Sequence, residues 1–139
     1  MKQETLFISD RRLTGFWTEF TFEQARNGAV TKIMNEYIES LSEGEIFVGI
    51  SSHHRIDGFN YFIGVFNDNG SEIIPQSNYL VITDFEDAYN VYSDLMQREF
   101  QFKEYFDGSV ENDLIPIKIE FYEIRNQSFR CMRIELPIT

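Results

Sequence analysis

Apolar and polar residues alternate from Leu114 to Glu123: Ile115, Ile117, Ile119 and Phe121 stand between Pro116, Lys118, Glu120 and Tyr122. A period of two is that of a β-strand, whose successive side chains point to opposite faces. One face of this strand is apolar and fit to cover a core. The other carries a base, an acid and a phenol in a row, with Glu120 at its centre. Runs with the same character, rich in β-favouring aromatic and branched residues, predict strands at 13–20, 45–52, 59–66, 79–83 and 129–138. Residues 1–12 read as an arm or edge strand, and 71–78 as an irregular connection through Pro75 with room for a short edge strand.

Two stretches switch to a helical period. Phe22, Ala25, Ala29, Ile33, Tyr37 and Leu41, widened by Val30, Met34 and Ile38, predict an amphipathic helix of about five turns that Gly44 would stop. Phe85, Ala88, Tyr89, Tyr92, Leu95, Met96 and Phe100 predict a second. Each is preceded by capping-box spacing, Thr21 to Gln24 and Thr83 to Glu86. Asp57-Gly58 and 125–128 read as hairpin turns, 67–70 as a loop and 103–113 as an acidic loop. The order strand, helix, strand, strand therefore occurs twice, over about 13–67 and 71–139. It predicts one domain of the α+β class, 1–139, built from duplicated strand–helix–strand–strand units. Both helices are expected on one face of an antiparallel sheet, with a central groove left for a ligand where the units meet.

Composition narrows the function. The chain is 42% hydrophobic and 16% aromatic, with 14 Phe and 7 Tyr, which excludes a disordered chain and supplies aromatics beyond the needs of two helices. The formal net charge of −11 repels nucleic-acid phosphates and attracts cationic small molecules; the same charge also serves solubility. Cys131 is the single cysteine, so no internal disulfide can form. The N-terminal residues hold no long apolar run, and no segment has the length of a membrane span. The expectation is a soluble cytoplasmic protein with no membrane partner. His53 and His54, as neighbours at a strand end, face opposite ways and read as loop residues rather than metal ligands. No Cys/His cluster, P-loop, dinucleotide fingerprint or G-x-S-x-G elbow is present, so no metal or cofactor is expected.

The element order, the length, the run YLVITDFEDAYNVYSDLMQREF and the pair LIPIKIEFYE and RIELPI resemble the GyrI-like effector-binding domains. These are the small-molecule domains of AraC-type and MerR-type multidrug regulators, and they also occur alone, as in integron-cassette effector-binding proteins. The resemblance runs from Leu13 to Ile138 and leaves no room for a helix-turn-helix, so it implies a stand-alone domain. In that family an aromatic-Glu-x-Tyr strand turns its Glu into a central pocket. Ile119-Glu120-Phe121-Tyr122 matches it with Ile in the first position, and Leu136-Pro137-Ile138 matches the family's closing run.

Glu120 and Tyr122 thus lead the candidate site, as counter-charge and companion phenol. Trp17, Phe47, Tyr61 and Phe66, each on a predicted strand, are candidate aromatic walls, with core packing the alternative for any one of them. Cation–π contacts of that kind contribute on the order of 0.5–2 kcal/mol each. Trp17 and Glu19 share a strand face, as Glu120 and Tyr122 do. Lys118 shares the face of Glu120 and competes for it. Cys131, on a strand, reads as an inert core thiol. Two function classes stay open. One is a module that binds cationic or aromatic compounds, to sense or sequester them, with a regulator or gyrase as a possible protein partner. The other is a GyrI-like hydrolase of electrophilic aromatic natural products, with Glu120 as acid or base on water. Sequence does not decide the oligomeric state.

Overall fold

The computed structural model describes residues 1–52, 55–96 and 117–138. Eight strands, β1 (Lys2–Ile8), β2 (Arg11–Thr21), β3 (Ile46–Ser52), β4 (Gly58–Phe66), β5 (Glu72–Ile74), β6 (Ser77–Thr83), β7 (Lys118–Arg125) and β8 (Ser128–Ile138), form one sheet. Every pairing among the described residues is antiparallel. The helices are α1 (Phe22–Arg26), α2 (Ala29–Tyr37) followed by a 3₁₀ turn (Ile38–Ser40), and α3 (Ala88–Met96). The fold is α+β, as the alternation and helical stripes predicted.

The strand order is β1-β6-β8-β7-β3-β4-β2-β5. Exchanging β1–β4 with β5–β8 leaves that order unchanged when it is read from the other end, so the duplicated units are related by the β3–β7 pair at the centre. The first strand of each unit crosses to the other unit's edge: β1 pairs with β6, and β5 with β2. Only Ser9 and Asp10 connect β1 to β2, although those strands lie near opposite ends of the sheet. The three Cα–Cα steps from Ile8 to Arg11 span at most about 11 Å, so the sheet must curl until its ends approach. The Gln76 amide, in the β5–β6 link, donates to Asp10 Oδ1 at 2.5 Å where they meet.

The curl has two faces, set by register. Ile82, Ile134, Glu120, Gly49, Ile63 and Phe16 stand opposite one another along successive pairs and share the outer face. Phe47, Tyr61 and Ile124 share that face too and pack under α1 and α2 with Ala25, Ile33, Tyr37 and Leu41. Leu80, Ile82, Ile134 and Leu136 pack under α3 with Ala88, Val91 and Leu95. Both helical segments therefore cover the same face. The inner face packs Leu13, Val48, Ile50, Phe62, Tyr79, Val81, Ile119 and Phe121 against one another within the half-barrel.

A charged cluster lies within this inner layer. Glu135 is fully buried and takes an arginine on each oxygen, Arg11 Nη2 at 2.7 Å and Arg133 Nε at 2.8 Å. The guanidinium carbons of Arg11 and Arg133 lie 5.2 and 5.5 Å from the ring centroids of Tyr79 and Phe121.

Two local expectations are corrected. The first helix is not continuous. Gly28 takes a left-handed φ of 87° and divides it, so the apolar stripe is carried by two helices and a 3₁₀ turn that ends ahead of Gly44. Its capping box is present: Thr21 Oγ1 accepts from the Gln24 amide at 3.0 Å and Gln24 Oε1 from the Thr21 amide at 2.9 Å. The second capping box is not used. Thr83 stays in β6, opposite Lys2, and Asp84 turns the chain at φ 55°. The α3 cap falls to Asp87, whose Oδ1 accepts from the Tyr89 amide at 2.9 Å. The predicted start of β7 at 114–116, the acidic loop, the end of the second helix beyond Met96 and the two histidines lie outside the described residues. Among the described residues no helix is long and apolar enough to cross a membrane.

Candidate binding site

Glu120 stands on β7, one of the two central strands, and faces the helix side of the sheet. Its flanks are set by the duplication: α2 packs over β3 and β4 on one side, α3 over β6 and β8 on the other. Tyr122, two residues on, shares the face and donates its hydroxyl to Glu120 Oε2 at 3.1 Å. Phe47 pairs with Tyr122 across the β3–β7 ladder and stacks on it, with ring centroids 5.2 Å apart and planes 18° apart. Tyr37 of α2 and Phe129 of β8 close around Phe47 at 5.9 and 5.8 Å.

Tyr61 extends toward the carboxylate across a glycine. Gly49 pairs with Glu120, and a Cβ on Gly49 would lie 2.0 Å from Tyr61 Oη and 2.7 Å from Tyr61 Cζ. The phenol therefore lies across the bare backbone of β3 toward Glu120, the close approach that a strand-interior glycine permits. Gly49→Ala should force the buried ring aside. The expected loss is about 1–3 kcal/mol of stability, the usual scale of overpacking, read as a lowered urea midpoint. An unchanged midpoint would mean that Tyr61 swings away without strain.

On the other flank Tyr92 of α3 turns its ring to Lys118, whose Nζ lies 4.7 Å from the ring centroid. The hydroxyl oxygens of Tyr61 and Tyr92 are buried without a well-aligned hydrogen bond. A β-bulge between Phe121 and Tyr122 leaves Met132 unpaired and sets Cys131 opposite Tyr122. The Cys131 thiol is thereby brought to the helix face, where it donates to the Arg133 carbonyl at 3.8 Å.

Electrostatics follow from this crowding. Glu120 is half-buried, and burial raises its carboxyl above the ordinary range, while the Lys118 ammonium and the Tyr122 hydroxyl pull it back. Burial lowers the Lys118 ammonium, and Glu120 opposes that shift. Tyr61, Tyr92 and Tyr122 are all raised, first by burial and then by the negative charge of Glu120. The phenols therefore remain protonated donors at neutral pH. Burial, with Glu120 second, pushes the Cys131 thiol up to about 12, so it is no nucleophile at neutral pH.

The sequence candidates divide between the faces. Glu120, Tyr122, Tyr61 and Phe47 come together on the helix side. Trp17, Glu19 and Phe66 are on strand positions of the opposite parity and project from the inner face. Trp17 packs on Phe62 at 5.3 Å and donates its indole N–H to Glu72 at 2.9 Å, while Glu19 is exposed. Phe66 stacks on Phe121 at 5.7 Å and helps line a separate hollow of about 290 Å³ with Arg11, Arg12 and Asp68. Sequence reasoning took Tyr92 only as part of a helix stripe and did not single out Gly49. The glycine inside the apolar run EIFVGISS was the available signal.

Sequence comparison finds no matching family model and no matching curated protein. The fold does have solved counterparts. SAV2435, solved with tetraphenylphosphonium bound, superposes over 100% of this chain and 94% of its own, with a TM-score of 0.62 and 14% identity. A Staphylococcus aureus MU50 protein assigned to bacterial transcription regulation superposes over 100% of this chain and 99% of its own, with a TM-score of 0.59 and 15% identity. At these identities the likeness is one of fold: a curled antiparallel sheet with helices on one face, in one neighbour accompanied by a bound aromatic cation.

Proposed function

We propose that this chain is a small-molecule binding domain of the GyrI-like effector-binding kind, which senses or sequesters amphipathic aromatic compounds bearing a cationic group. The observation that carries the reading is Glu120, a half-buried carboxylate on a central strand, set among the phenols of Tyr61, Tyr92 and Tyr122 and beside the stacked ring of Phe47. A carboxylate withdrawn from bulk water attracts a cation more strongly than an exposed one. The Tyr122 ring adds cation–π attraction at little ordering cost, because Phe47 already holds it in place. The net charge of −11 draws cations toward the molecule. The tetraphenylphosphonium bound to SAV2435 supports this class of ligand.

Calorimetric titration with tetraphenylphosphonium tests the reading. Glu120→Gln keeps the shape and removes the charge, and should weaken binding by about 1–3 kcal/mol, the scale for losing a charged partner. An unchanged dissociation constant would remove Glu120 as the counter-charge.

A further inference from the structure

The site holds a second charge that the proposed function leaves unused. Lys118 precedes Glu120 by two residues on the same strand face, so their backbones are about 7 Å apart along the strand. Lys118 is half-buried, and its ammonium rests over the Tyr92 ring at 4.7 Å. Among the described residues it makes no ion pair or hydrogen bond, although an ammonium has three donors to offer. The buried Tyr92 hydroxyl beside it makes no well-aligned hydrogen bond either. Glu120, which can accept about four hydrogen bonds, receives that of Tyr122. The face thus presents unused acceptors at one end and unused donors at the other, with one charge of each sign.

That arrangement opposes a bare cation. The Lys118 ammonium already occupies the face of Tyr92, and it repels a second positive charge brought to Glu120. A ligand carrying both signs meets two complements instead. Resting on the proposal that Glu120 is the ligand's counter-charge, we propose that the site selects zwitterionic aromatic compounds, with the cationic group at Glu120 and a carboxylate or similar anionic group at Lys118 and the Tyr92 hydroxyl. Lys118 is then the residue that sets specificity.

Two dyes that differ by one group provide the test: rhodamine B, a zwitterion with a free carboxylate at neutral pH, and its ethyl ester, a cation with the same rings. Fluorescence anisotropy of the full chain should give rhodamine B about tenfold tighter binding than the ester, the ratio that one added charge contact of about 1.4 kcal/mol produces. Lys118→Met should abolish or reverse that preference, Lys118→Arg should keep it, and Glu120→Gln should weaken both dyes. Equal affinities in the parent chain, or a Lys118→Met effect that is the same for both dyes, overturn the inference. If Glu120→Gln still weakens both dyes in that case, the counter-charge reading stands without it. If Glu120→Gln changes neither dye, both readings fall.

Discussion

Glu135→Ala is expected to remove about 3–5 kcal/mol of folding stability, the scale for breaking a buried ion pair from one side. The reason is what remains. Glu135 is fully buried in the inner layer and pairs with two arginines, one per oxygen. Without it, Arg11 and Arg133 would face each other across an apolar layer with only the rings of Tyr79 and Phe121 for company. Arg11 lies at the start of β2 and Glu135 near the end of β8, so this contact also links one end of the curled sheet to the strands near its other end. The ion pair itself contributes little net stability, since both charges gave up water to form it. Replacing all three residues by apolar ones of similar volume should therefore recover most of what the single change loses. Urea denaturation of the two variants separates these effects. A loss below about 1 kcal/mol for Glu135→Ala would mean that the arginines simply turn out to solvent.

Much of the fold was legible because it depends on period. Strand and helix stripes, the first capping box and the duplicated order are local; residues 13–20 and 59–66 lie inside the strands that form, and 45–52 overruns β3 by one residue. What period cannot supply is pairing between distant segments. The exchange of β1 and β5 between the two units depends on edge pairings that no window of sequence contains. The burial of Glu135 follows from that curl, and a carboxylate in RIELPI reads as exposed until the ends of the sheet meet. Gly28 was within reach, since a glycine in a helical stripe costs about 1 kcal/mol and is a natural breakpoint.

The site was legible on its own strand and less so across strands. Alternation alone set Lys118, Glu120 and Tyr122 on one face. Parity also assigns Trp17 and Phe66, but only once register ties β2 and β4 to β7. Leu13, fully buried in the inner layer, shares Trp17's parity on β2 and identifies the face that it occupies. Core and site overlap more than the sequence implied, because the aromatics that wall the carboxylate also cement α2 to the sheet.

Phe47→Ala should expose that overlap, with a stability loss of about 3–5 kcal/mol, as for other buried aromatic truncations. Phe47 has no exposed surface and touches the rings of Tyr122, Tyr37 and Phe129. Its removal leaves a cavity between β3, α2 and β8 that these larger rings cannot fill without leaving their own places. Tyr122 would lose its stacking partner, and with it the constraint that aims its hydroxyl at Glu120. Binding of tetraphenylphosphonium should weaken together with the urea midpoint. Phe47→Leu keeps most of the buried volume and should restore more stability than affinity, because an aliphatic side chain fills the space but does not stack on Tyr122 and hold its hydroxyl toward Glu120. Phe66→Ala is the matched control: Phe66 is 41% exposed and belongs to the opposite face, so its loss should be smaller and should leave binding unchanged. Equal affinity losses in Phe47→Ala and Phe66→Ala would count against a ligand seated on the helix side of the sheet.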